Sequence, residues 1–122
     1  ALTEAMRCLA PGGRLIVGVV HPVADLIKTV MDTGDWEGEG SYFEPRRFDY
    51  PVTDAEGIQM HFAGWQRPMG AYTDAMVRAG ARLQRLEEPQ PDPAHPWTNA
   101  RWRKLPLFLW IEAKKPRQGE AA

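Results

Sequence analysis

The chain has 122 residues, enough for one domain that buries roughly two thirds of its extended surface. Its 43% hydrophobic and 25% charged residues are the composition of a soluble globular protein, and a net charge of -1 excludes the long-range field that draws nucleic acid or an anionic membrane. Cys8 is the only cysteine, which excludes an intramolecular disulfide and points to a reducing cytoplasm; no apolar run approaches the ~20 residues of a membrane span.

In chain order, Leu2, Ala5, Met6 and Leu9 recur at helical spacing and predict a short amphipathic helix over 2–9, with Cys8 packing as a small hydrophobe. Pro11 cannot continue that helix, and Gly12-Gly13 supplies the tight turn that closes it. Leu15 to Val20 carry no polar side chain, a pattern that suits a strand over 14–20 covered on both faces, as in a parallel sheet. His21 and Pro22 fall at the carboxyl end of this strand, the edge where open α/β sheets bind ligands.

Val23, Leu26, Ile27, Val30 and Met31 form a second helical stripe that ends before Gly34. From about residue 32 to 64 the sequence is rich in Gly, Pro and aromatics and reads as a β-rich flap. Tyr42-Phe43 and Phe48–Tyr50 are expected as short strands, residues 54–57 as a turn, and 58–62 as a further strand with Ile58, Met60 and Phe62 alternating against Gln59 and His61. Pro68 opens a helix whose buried face is Tyr72, Ala75, Met76 and Ala79, and Gly80 closes it. Residues 81–87 are polar enough for an edge strand. A loop with four prolines follows over 88–96, then a turn of helix over 97–103. Residues 105–113 are apolar on both faces and form a central strand; Lys114 onward is a solvated tail, disordered over 117–122.

The last two strands lack a crossover helix between them, so their simplest pairing is antiparallel. The expected spatial order is first, last, middle. Ala1 already lies inside the first helical pattern, so the chain is expected to be the carboxyl-terminal portion of a longer protein.

This order resembles the second half of class I S-adenosylmethionine-dependent methyltransferases, whose Rossmann-like sheet ends with strands five, seven and six, the seventh antiparallel. Leu2-Thr3-Glu4-Ala5-Met6-Arg7-Cys8-Leu9-Ala10-Pro11-Gly12-Gly13-Arg14-Leu15 is similar to the L-x-E-x-x-R-x-L-x-P-G-G-x-L stretch leading into strand five of the small-molecule group. His21-Pro22, the aromatic flap, Gly64-Trp65-Gln66-Arg67-Pro68, Ala79-Gly80 and Leu105-Pro106-Leu107-Phe108-Leu109 resemble that group in order and spacing. The resemblance implies that residues 1–116 are the carboxyl-terminal part of a methyltransferase domain, supplying the substrate side and lid for methyl transfer to a small molecule. The chain departs from the family in lacking G-x-G-x-G after a first strand and an acidic residue ending a second. S-adenosylmethionine is therefore expected to be bound mainly by an upstream part, with no cofactor-binding residue assigned here. Gln66 stands where many relatives carry His before Arg-Pro.

The candidate catalytic residue is His21, read either as a proton acceptor for a nucleophilic substrate or as a strand-end histidine bonded to backbone. The candidate substrate-binding residues are Phe43, His61, Trp65, Arg67 and Tyr72, with Arg67 placed to pair a substrate carboxylate. Against these stand a solvent-exposed His61, a Trp65 that packs the flap, and an Arg67 that caps a helix or makes a surface pair. His21, His61, His95 and Cys8 show no metal-ligand spacing, no G-x-S-x-G elbow occurs, and Arg101-Trp102-Arg103-Lys104 in a neutral chain is a solvated loop before it is a nucleic-acid patch. A non-enzymatic small-molecule binding module and an α/β interaction domain are the rival readings.

Overall fold

A computed structural model describes residues 1–33, 41–95 and 100–120. The parts of the expected flap at 34–40, including Trp36, the segment 96–99 with Trp97, and residues 121–122 lie outside the described residues, as do the side chains of Val30 and Met31. The elements run α1 (Leu2–Cys8), β1 (Arg14–Val20), α2 (Pro22–Thr33), β2 (Arg46–Thr53), β3 (Gln59–Gln66), α3 (Met69–Arg78), β4 (Arg82–Glu87), α4 (Ala100–Lys104) and β5 (Phe108–Lys114).

Three strands form one sheet in the order β1-β5-β4, with β5 antiparallel to both neighbours. The β1–β5 ladder runs without interruption from Arg14 opposite Lys114 to Val20 opposite Phe108. The glycine turn extends it. Gly12 N–H donates to the Lys115 carbonyl at 2.8 Å, Lys115 N–H donates to the Gly13 carbonyl at 2.8 Å, and Lys115 Nζ donates to the Leu9 carbonyl at 2.7 Å. Gly12 has φ +80°, and a Cβ on Gly13 would meet the Ala10 carbonyl at 2.8 Å, so both positions need glycine. Lys114 and Lys115, expected in the solvated tail, are thus part of the sheet and its clasp. Beyond them a turn closes through Glu120 N–H donating to the Arg117 carbonyl.

Alternation along β1 and β5 sets the core. Leu15, Val17 and Val19 share one face with Ala113, Ile111 and Leu109, and this face is covered by Met6 of α1 and Met76 of α3. The opposite face carries Ile16, Val20, Phe108 and Trp110, exposed by 63%, 45%, 45% and 45%. The expectation that both apolar strands are covered on both faces is therefore corrected: among the described residues, helices cover one face only. Cys8 is corrected likewise. It is exposed, on the side of α1 away from Met6.

β2 and β3 form a separate two-stranded antiparallel hairpin. Asp54 closes it by accepting the Glu56 and Ile58 amides on Oδ1 at 2.9 and 2.8 Å, with Gly57 at φ +83°. Tyr42-Phe43, expected as a strand, lies in a turn instead, and the strands extend to Arg46 and Gln66. The side-chain period had located the hairpin's centre; pairing across the turn carries the ladder further.

Met76 lies under the β5 strand and is almost wholly buried. Met76→Ala is expected to lower the unfolding free energy by about 3 kcal/mol in a denaturant titration, the cost of a deleted core side chain and the cavity it leaves.

Candidate functional site

β1 and β4 both run antiparallel to β5, so they are parallel to each other, and their carboxyl ends lie at the same edge of the sheet. His21 follows β1 directly and is 1% exposed. Its backbone N–H donates to the Leu107 carbonyl at 2.8 Å, and its own carbonyl accepts the Ala24 amide at 2.9 Å. Nδ1 accepts the Val23 amide at 3.1 Å, so the imidazole caps α2, with Pro22 at the first helical position where no N–H is missed. That bond places the ring proton on Nε2, which donates to Glu88 Oε2 at 2.6 Å. Both ring nitrogens are engaged. Glu88 follows the last residue of β4, so this one side chain joins the ends of β1 and β4 across the start of β5.

A cavity of about 600 Å³ lies between α1, α3 and the base of the hairpin, lined among others by Leu2, Val17, Pro45, Arg67, Tyr72 and Met76. Its polar groups come from the turn into α3. Arg67 follows β3, its guanidinium 5.5 Å from the Trp65 ring centroid. One helical turn into α3, the Tyr72 phenol is held protonated above its ordinary value of 10.0 by burial; the Arg67 charge works against this and Asp25 of α2 works with it. Pro68 precedes α3 at the cap position and offers no capping side chain, and the Tyr42 hydroxyl fills that place by accepting the Met69 amide at 3.0 Å.

The candidate residues therefore divide. Arg67 and Tyr72 meet in the cavity, with Trp65 beside Arg67. Phe43 is 80% exposed, edge-on to Tyr42 at 5.4 Å, and does not line the cavity. His61 stands on the hairpin face that carries Arg47, Asp49 and Trp65, where its Nε2 pairs with the Asp49 carboxylate; the other face carries Phe48, Tyr50, Val52, Met60 and Phe62. Sequence reasoning missed Asp25, Tyr42 and Glu88. The single available signal was for Glu88, a carboxylate at a strand's carboxyl end, and the surrounding prolines mask it.

The Gly12-Gly13 turn is not a phosphate-binding loop. The Gly12-Gly13 turn lies at the amino end of β1, and its amides are spent on Lys115 and Ala10. No group of three or more His, Cys, Asp or Glu suited to a metal ion occurs among the described residues, and no described helix is long and apolar enough to cross a membrane.

His21→Ala removes a helix cap and a charge-assisted hydrogen bond together and is expected to destabilise the protein by about 3 kcal/mol in denaturant unfolding. Spectrophotometric titration, read as the difference from Tyr72→Phe, is expected to place the Tyr72 midpoint above 10.0, lower in Asp25→Asn and higher in Arg67→Gln. The stability tied to this phenol is complete below its ordinary value and is lost as pH rises through the raised one.

No protein-family model matches the chain, and no curated protein matches it. Solved structures do. A Listeria monocytogenes protein provisionally assigned as an S-adenosylmethionine dependent methyltransferase matches with a TM-score of 0.64 and 22% identity, over 95% of this chain and 54% of its own. An S-adenosylmethionine dependent methyltransferase from Mesorhizobium loti matches with a TM-score of 0.52 and 19% identity, over 93% of this chain and 53% of its own. The chain spans about half the length of these structures, and it has the α/β fold of that half.

Proposed function

We propose that the chain is the substrate-facing, carboxyl-terminal part of a class I S-adenosylmethionine-dependent methyltransferase acting on a small molecule. The observation that carries this reading is the sheet: β5 inserted antiparallel between β1 and β4, in a fold shared with half of two methyltransferase structures. In this reading β1, β5 and β4 are strands five, seven and six of the family sheet. The open outer edge of β1 and the bare apolar face then adjoin an upstream part, which also holds the methyl donor.

Within the chain, the cavity at Arg67 and Tyr72 receives the methyl acceptor. Arg67, steadied by the Trp65 ring, pairs an anionic group of the acceptor, and the protonated Tyr72 phenol fixes a second polar atom. The hairpin, joined to this cavity through Pro45 and Arg67, serves as the lid that excludes water. His21 acts by fixing the strand ends and α2 beside the cavity rather than by moving a proton, because both of its ring nitrogens are engaged.

The same open edge and bare face also favour a second reading, an α/β domain that pairs with a partner chain.

Equilibrium binding and methyl-transfer assays on the full-length protein test the proposal. The full-length protein is expected to bind S-adenosylmethionine, the 122 residues alone to bind it poorly, and Arg67→Gln to raise KM for the acceptor about tenfold or more with cofactor affinity unchanged. Tight cofactor binding by the 122 residues alone rejects the assignment. Partner pairing without methyl transfer in the full-length protein moves it to the second reading.

A further inference from the structure

A second cavity, of about 240 Å³, lies at the carboxyl end of β4, between the proline-rich loop that follows the strand and the segment from α4 into β5. Among the described residues its walls are Pro89, Pro91, Leu105 and Pro106 with the ring of Trp102, and its polar groups are Glu88, Gln90, Arg103 and Lys104. Two of these are charged groups with unused bonding capacity. Glu88 gives Oε2 to His21 and is 47% exposed, and no other partner engages it among the described residues. Lys104 makes no hydrogen bond or ion pair among the described residues. The two line the same cavity, yet no ion pair joins them. Arg103, by contrast, is committed to the Pro93 carbonyl at 3.2 Å.

The Glu88 carboxylate is also held in place from behind. His21 is almost wholly buried, its ring is fixed by the Val23 amide, and its Nε2–H reaches Glu88 at 2.6 Å. A side chain preset in this way gives up little conformational freedom on binding. The free carboxylate lone pairs ask for a cationic donor, the free ammonium asks for an anion, and the ring and proline walls of the same cavity ask for a short apolar side chain. A cavity of 240 Å³ limits the ligand to a small molecule.

We propose that this cavity is a binding site for a small zwitterion of the α-amino acid type, with its ammonium on Glu88, its carboxylate on Lys104 and its side chain against Trp102 and the prolines. His21 is a positioning residue for Glu88. The site is separate from the cavity at Arg67 and Tyr72, and the proposal stands or falls independently of the methyl-transfer reading.

The test is an NMR titration of the full-length protein, following the Trp102 indole N–H signal assigned by Trp102→Phe. The probes are L-valine and its two half-charged counterparts, isobutylamine and 3-methylbutanoate. L-valine is expected to move the Trp102 signal and to bind about tenfold or more tightly than either counterpart, since each lacks one charge-assisted contact. Glu88→Gln and Lys104→Met are each expected to weaken L-valine binding by about the same factor, while leaving binding of the counterpart that does not use the altered residue unchanged. L-valine binding no tighter than its counterparts, a Trp102 signal that does not respond, or a Lys104→Met variant with unaltered affinity overturns the proposal. Lys104→Met alters an exposed side chain beyond the core, so this arm decides the matter even where Glu88→Gln perturbs the fold.

Discussion

The structure depends on one ladder, the antiparallel pairing of β1 with β5. These strands are far apart in sequence, with Arg14 opposite Lys114, so their pairing closes nearly the whole chain into a loop. The entropic cost of that closure grows only slowly with loop length. What offsets it is apolar: Leu15, Val17 and Val19 come into line with Ala113, Ile111 and Leu109, and the row they make is what Met6 and Met76 cover. The Lys115 clasp on Gly12, Gly13 and Leu9 locks the register at one end, where a slip of one residue would turn the apolar row to solvent.

At the other end of the same ladder the chain places its polar chemistry. Because β5 runs against both neighbours, β1 and β4 finish at the same edge of the sheet on either side of it, and the residues just past them, His21 and Glu88, come within hydrogen-bond reach. Burying an imidazole is costly unless its nitrogens are satisfied, and here a backbone amide and a carboxylate satisfy both. The result is a rigid tie that steadies the start of α2 and leaves one carboxylate facing outward.

The hairpin is held differently. Two strands alone are marginal in water, and among the described residues β2–β3 adds no third. Its attachment lies at its base, through Tyr42 accepting the Met69 amide and through the short link from Gln66 to α3. Phe48, Tyr50, Val52, Met60 and Phe62 line up on one of its faces, with Tyr50 and Phe62 rings 6.0 Å apart. None of these residues belongs to the buried core cluster.

The sequence by itself determined the elements whose signals are local. Gly12-Gly13 at a turn, the apolar run into β1, Pro68 before α3 and Gly80 after it follow from backbone sterics and side-chain periodicity, which act over a few residues. The absence of a crossover helix before the last strand also pointed to its antiparallel pairing. Tertiary structure alone decided which face of Ile16, Val20, Phe108 and Trp110 is covered, because an apolar run records a tendency to be buried and not what buries it. It also decided the partners of His21, the raising of Tyr72 by burial with Asp25, and the separation of Phe43 and His61 from Arg67. These are relations between residues distant in sequence, fixed by hydrogen-bond geometry and charge at a few ångströms, and no spacing along the chain encodes them.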